Sequence, residues 1–529
     1  MSFEETTLAP AADQPSQSGR RRWPAITSGV LILLVALAVA AFFLERLHIA
    51  NQMRANLPQL DGSQTVYGLA SSVTVQRDSH GVPHIHASSL DDLVFAQGYI
   101  TAQDRLWQMD LLRRHAAGQL AEIVGRAMLE HDRLQRTQQL RAAADRAVGV
   151  LPTDQKHWLE VYARGVNASI VAMHDRLPIE FRLLGYKPAA WTPRDSILTE
   201  IAMYQDLTNG FPEKLGHEAI AAQIPPDLIA DLYPTGSWRD HPPGQPIPDV
   251  TAPQPELPDV PLDESQTKLR RPNLGRMSSN NLLALNQTMA LFHPCDTCVA
   301  GSNGWAVSGA RTASGKPLLS NDMHLALSVP GLWYEADLQA DMPAPAVSFH
   351  AAGVTMPGAP FVIAGHNQHI AWGFTNLGAD VQDLFIEHTR GTPNGGAEYQ
   401  TSGGTWRPIA YQHEVIHIRG GADVTLDVPL TSHSGVGTPI ITSVYPNERR
   451  TLSLQWTIYD PANLTAPFLA VNSATDWPSL LSALSAWGGP PTNLMYADDQ
   501  GHIGYHAVGR IPIRGDANNP GPLSPVPID

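Results

Sequence analysis

The chain has 529 residues, of which 43% are hydrophobic and 16% charged, and a formal net charge of −15. This composition suits a globular protein with a large core, and the acidic balance argues against a nucleic-acid partner, which would need clustered Lys and Arg. Cys295 and Cys298 cannot make a disulfide framework, and with no second ligand pair the C-x-x-C gives no structural zinc site.

Residues 1–22 are polar, rich in Ser, Gln and Pro, and end in Arg20-Arg21-Arg22, so they read as a disordered cytoplasmic tail. Trp23 to Leu44 then carries no charge, a length that spans a bilayer as a helix. Residues 23–47 are therefore expected to be a transmembrane anchor or a signal segment. The arginines hold the start of the chain inside, and Ala38-Val39-Ala40 offers a possible signal-peptidase site. In either case the bulk of the chain is expected in the periplasm, anchored to the inner membrane or exported.

Residues 60–235 read as mostly helical. A strand at Val73–Arg77 and a short second strand at His84–Ala87 flank a turn at His80-Gly81. Ser89 is the expected N-cap of a helix running to about Arg114, with Asp91 and Asp92 at its positive end. Leu106, Met109, Leu112 and Ala116 mark one apolar face, and Gly118 breaks the helix. A shorter helix follows and closes at Gly125. Residues 236–301 form a Pro-rich spacer, a composition too extended to pack well. From Trp305 onward, short alternating runs between Gly-rich turns predict antiparallel sheet.

The border between spacer and sheet is CVAGSNGWAVSG. "GWAVSGA" and "KPLLSN" read as two strands joined by the turn "RTASG". A turn centred on Ala313–Ser314 sets Ser302 against residue 325, give or take about two to four residues, and so brings His324 close to it. Two mechanisms are open. Ser302 and His324 could act as nucleophile and base, although no G-x-S-x-G elbow is present. Alternatively, a cut before Ser302 would give that serine a free α-amine, whose ordinary pKa near 8 lets it act as the base. Gly301 has no side chain to obstruct such a cut.

Seven blocks in order resemble the penicillin acylases of the N-terminal nucleophile (Ntn) hydrolase superfamily. "VQRDSHGVPHIHA" (75–87), "GYITAQDRLWQMDLLRRHAAGQLAEIVG" (98–125) and "LGYKPAAWTPRDS" (184–196) are similar to the small chain of that family. "GSNGWAVSG" (301–309) is similar to its self-cleavage junction. "SNDMHL" (320–325), "MPGAPFVIAGHNQHIAWGFTN" (356–376) and "NLMYADDQGHIGYHAVGRIP" (493–512) resemble its large chain.

The resemblance implies an α+β protein, the four-layer αββα sandwich, with a helical small-chain region and a large-chain region from residue 302. It implies self-cleavage between Gly301 and Ser302, with the two chains then staying associated. Ser302 would be the nucleophile, His324 would orient its amine, and the Asn376 N–H would form half of an oxyanion hole. Leu325, Phe374, Met203 and Leu207 fall at side-chain-pocket positions. One calcium site is implied at Asp380, Asp383, the Gln382 carbonyl, Glu213 and the Pro522 carbonyl, with the register uncertain by one residue between Glu213 and Lys214.

The family continues beyond the point where this sequence ends. The resemblance therefore implies that 302–529 is an incomplete large-chain region, lacking a second oxyanion donor and a further calcium carboxylate. The implied activity is hydrolysis of a small-molecule N-acyl amide, either a β-lactam side chain or an N-acyl-homoserine lactone. The rival expectation is a truncated, catalytically impaired, membrane-anchored protein.

Overall fold

In the computed structural model the described residues are 23–55, 57–174, 176–224, 301–325, 328–342, 348–393, 395–432, 437–444, 448–464, 467–516 and 519–520. The spacer, Cys295, Cys298 and Pro522 lie outside them. The chain divides into two compact units, Met1–Leu57 and Pro58–Asp529.

The described part of the first unit contains one helix, α1, Trp23–Ala55. It runs past the expected end at residue 47, because the charged and polar residues after Leu44 are good helix formers and nothing breaks the helix before Ala55. Among the described residues it holds the one segment, Val30–Asn51, long and apolar enough to cross a membrane.

The second unit mixes helices and sheets in an α+β arrangement. The helices before residue 222 are α2 (Leu90–Ala117), α3 (Ala121–Val124), α4 (Leu129–Thr137), α5 (Leu140–Val150), α6 (Thr153–Met173), α7 (Ile179–Leu183), α8 (Pro193–Thr208) and α9 (Phe211–Ala221). Ser89 caps α2 by accepting from the Asp92 N–H, and Gly118 ends it in the left-handed conformation (φ 62°), which glycine adopts without strain.

The strands in chain order are β1 (Thr74–Arg77), β2 (Pro83–Ala87), β3 (Asn303–Val307), β4 (Leu318–Asp322), β5 (Tyr334–Ala340), β6 (Phe349–Thr355), β7 (Ala364–His366), β8 (Ile370–Asn376) and β9 (Gln382–Ile386). After further strands that lie outside the large sheet come β10 (Leu452–Trp456), β11 (Thr492–Asp498) and β12 (Ile503–Val508). The large sheet has the order β1-β2-β5-β6-β7-β8-β11-β12. All its neighbours are antiparallel except β2 and β5, where His84 to Ala87 run parallel to Asp337 to Ala340. Thus the strands from before the spacer and those from after it belong to one ladder. β3 and β4 form a separate hairpin.

One apolar core joins α2 and α6 to the large sheet, and a second joins α5 and α8 to the β9–β10 pair. The predicted α2 face of Leu106, Met109, Leu112 and Ala116 is buried, but so is most of the rest of that helix. The reason is that α6 crosses it closely on another side. A Cβ added at Gly98 would lie 2.3 Å from the Tyr162 carbonyl oxygen, and one at Gly165 would lie 1.9 Å from that of Phe95. Only glycine permits backbones so close.

α2 also carries a buried charge cluster. Asp110 is fully buried and accepts from Arg113 Nη2 (2.5 Å), Arg114 Nε (2.8 Å) and the Tyr186 hydroxyl (2.6 Å). Burial alone would raise its pKa, but the two guanidinium groups outweigh burial and hold it below the usual carboxylate range. The ion pair therefore contributes stability above the ordinary Asp value of about 3.9, which is lost as pH falls through the lower folded value. Asp110→Asn should leave Arg113 only Asp195, and Arg114 only Glu122, as carboxylate partners and cost about 3 kcal/mol. Denaturant unfolding at pH 7 checks this, with the difference from wild type shrinking towards pH 2.

Candidate active site

The β3–β4 hairpin has a register offset from the expected one. Asn303 pairs with Asp322, and the Gly301 N–H donates to the His324 carbonyl oxygen at 2.9 Å. Ser302 therefore lies opposite Met323, two residues before the expected partner, and His324 lies opposite Gly301. The cause is the short 3-10 turn Gly309–Arg311, which takes up residues on the incoming side and moves the turn centre one residue earlier. His324 stays beside the junction: a Cβ at Gly301 would sit 2.8 Å from its Nε2. Its Nδ1 lies 3.3 Å from Asp322 Oδ2.

The hairpin is clamped to the large sheet by Asn321, a residue the sequence reading did not single out. Asn321 Nδ2 donates to the carbonyl oxygens of Asn303 and Phe374, both at 2.9 Å, and its Oδ1 accepts from the Phe374 N–H at 3.0 Å. Two glycines allow this seat. A Cβ at Gly373 would lie 2.7 Å from Asn321 Cβ, and one at Gly304 would lie 1.9 Å from Met495 Cε.

Seated in this way, the hairpin brings Ser302 to the end of β8. The Asn376 N–H donates to Ser302 Oγ at 3.1 Å. Asn376 is itself fixed on three sides. Its Nδ2 donates to the Leu207 carbonyl at the end of α8 (3.0 Å), its Oδ1 accepts from the Gly378 N–H (3.0 Å), and its carbonyl accepts from Asn493 Nδ2 (3.1 Å). The N–H is thus a donor held in a fixed place beside the hydroxyl.

Ser302 and Asn376 open onto an apolar cavity whose lining includes Met203, Leu207, Leu325 and Phe374. The four residues expected at pocket positions are thus brought together with the serine. Trp487 adds to the wall, its ring 5.2 Å from that of Phe374. Glu200, on the same face of α8 as Met203 and Leu207, is the acidic group in the lining.

Of the expected metal positions, Asp380 and Asp383 are paired with protein cations. Lys214 Nζ donates to Asp380 Oδ2 at 2.8 Å and to Asp383 Oδ1 at 3.0 Å. Arg514 Nε donates to both Asp383 oxygens at 3.1 and 3.0 Å, and its Nη2 donates to the Asp380 carbonyl at 3.2 Å. Calcium needs several free oxygen ligands, whereas here two protein cations occupy the two carboxylates and balance their charge. The Gln382 side chain is engaged as well, its Oε1 accepting from the Gly210 and Phe211 N–H groups at 2.7 and 2.8 Å. Lys214, one of the two candidate register positions on α9, reaches the acidic pair. No group of three or more metal-ligating side chains occurs among the described residues.

The profile of the penicillin amidase family matches residues 72–528. The chain belongs to the penicillin amidase family. It is similar to the acyl-homoserine lactone acylase QuiP of Pseudomonas aeruginosa, with 32% identity over 87% of this chain and 52% of that protein. It is 31% identical to the penicillin acylase 2 proenzyme of a Pseudomonas species, over 87% of this chain and 55% of the relative. The chain thus spans about half the length of these relatives. A solved structure, the thermostable penicillin G acylase of Alcaligenes faecalis, matches at 27% identity with a TM-score of 0.34, over 41% of this chain and 36% of that one.

Two outcomes are expected for this penicillin amidase family member. Asn321→Ala removes three hydrogen bonds and strands the Phe374 backbone groups, so it should lower stability by roughly 1–3 kcal/mol, read by denaturant unfolding. If the acidic pair is served by Lys214 and Arg514, a calcium chelator should leave the thermal midpoint unchanged. Lys214→Met should cost about 3 kcal/mol, and added calcium should fail to restore the midpoint.

Proposed function

We infer that this chain is a self-processing amidohydrolase precursor with Ser302 as its nucleophile. The observation that carries this reading is the Asn376 N–H, 3.1 Å from Ser302 Oγ, at the mouth of an apolar cavity. The relatives named as acyl-homoserine lactone acylases and penicillin acylases support it.

Maturation starts with attack of Ser302 Oγ on the Gly301 carbonyl carbon. The peptide C–N bond breaks as the C–O bond forms, and the proton from Oγ passes to the departing Ser302 nitrogen. Water then hydrolyses the ester, leaving a Gly301 carboxyl group and a free Ser302 amine. His324, beside Gly301, orients that amine. The β2–β5 ladder crosses from one side of the cut to the other, so the two products stay joined in one sheet.

In turnover the amine accepts the Oγ proton while Oγ attacks the substrate amide carbonyl, and the Asn376 N–H stabilises the oxyanion. The proton then passes to the leaving amine, an acyl-enzyme forms, and water releases the acid. The apolar cavity receives the acyl group, which makes an N-acyl amide with a hydrocarbon-rich acyl chain the substrate class. The amine part, homoserine lactone or a β-lactam nucleus, lies outside the cavity. The reading includes the four-layer αββα sandwich, with α1 as signal segment or inner-membrane anchor and the catalytic unit in the periplasm.

Denaturing gel electrophoresis of the purified chain tests the first step. Wild type should give two fragments, the smaller one beginning at Ser302, and Ser302→Ala should give one uncut band. Hydrolysis of phenylacetyl and octanoyl p-nitroanilides should accompany cleavage and vanish in the variant. An uncut wild type that still hydrolyses these amides would point instead to a serine acting with a separate base.

A further inference from the structure

The acyl cavity does not end at a purely apolar wall. Glu200, Met203, Tyr204 and Leu207 line it together, and their spacing puts them on one face of α8. The Leu207 end of this stripe is tied to Asn376 by a 3.0 Å hydrogen bond. Glu200 stands seven residues earlier, roughly 10 Å along the helix axis from Leu207. That is about the extended length of an eight-carbon chain, taking single bonds of about 1.5 Å. A carboxyl group therefore stands at the deep end of a pocket whose reacting end is Ser302.

Glu200 also lines a second cavity, on whose wall Asp154, Gln155 and Trp158 lie. Leu464 and Phe468 are shared by the two cavities in the same way, so Glu200 stands where the two meet. Neither lining contains Lys, Arg or His, and the charged neighbour in the second cavity, Asp154, has the same sign. Nothing there favours a carboxylate over the neutral acid. Burial of the carboxyl group between the two cavities pushes its pKa up to about 8, so it carries its proton at neutral pH. A neutral carboxyl group has an O–H to donate.

We propose that Glu200 is a specificity-determining residue that selects acyl chains of about eight carbons bearing a hydroxyl or keto oxygen at the far end. The inference rests on the amidohydrolase reading above. The Glu200 O–H donates to that oxygen. An unsubstituted chain of the same length leaves the carboxyl group without a partner in an apolar pocket, which disfavours it.

The test is calorimetric titration of the full chain with octanoate and with 8-hydroxyoctanoate, the acids that turnover would release. These report on the subsite without requiring catalysis. Wild type should bind the hydroxy acid about five- to tenfold more tightly, the range expected of one net hydrogen bond. Glu200→Gln, which keeps a donor at the same place, should retain the preference. Glu200→Leu should abolish or invert it, and its circular dichroism and thermal midpoint report whether the fold is kept. Equal binding of the two acids by wild type, binding of neither, or a preference unchanged in Glu200→Leu with the fold kept would overturn the proposal. The octanoyl anilide separates the two readings: acids bound with the expected preference but no anilide hydrolysed would count against the amidohydrolase reading alone.

Discussion

The site depends on one side chain that ties a hairpin to a sheet. Asn321 holds the Asn303 carbonyl on its own hairpin and both backbone groups of Phe374 on β8. That tie is the main polar link that fixes the separation of Ser302 and Asn376, which are distant in sequence. With it, the hydroxyl stands beside a backbone donor that is itself held by Leu207, Gly378 and Asn493. The contacts are cheap in entropy because each partner already belongs to a regular element. They also favour glycine at 373, where a side chain would collide with Asn321 itself.

The large sheet explains how a chain cut at residue 301 could remain one body. β1 and β2 come from before the junction, and β5 to β8 with β11 and β12 from after it. The helices α2 and α6 pack their apolar surfaces onto that shared sheet in one continuous core. Further cross-junction ties are polar. Arg136 pairs with Glu414 at 2.5 Å, and Lys214 pairs with Asp380 and Asp383. Most of these groups are substantially buried, so water and salt screen them little.

Local features were readable in the sequence. Ser89 and Gly118 bound α2 as expected, because capping and left-handed backbone are properties of one turn and a few residues. The meeting of Ser302 with the 323–325 segment was also readable, since a hairpin needs only a turn and two strands. Its register was not, because a 3-10 turn inside the loop shifted the pairing. The all-round burial of α2 escaped the helical periodicity, because the second buried face is made by α6, whose approach depends on two separated glycines.

The sequence alone determined the order of elements, the apolar helix at the start, the hairpin that follows Ser302 and the residues that gather round it. These follow from composition, local conformational preference and ordered motifs. Only the tertiary structure decided what surrounds each charge. Only the family resemblance implies Asp380 and Asp383 as metal ligands, and in the fold Lys214 and Arg514 reach them from α9 and from beyond β12. Glu200 looks like an ordinary helical glutamate until the fold closes two cavities about it. The physical reason is the same in both cases: the state of a carboxyl group is set by solvent and by partners within a few ångströms, and those neighbours come from distant parts of the chain.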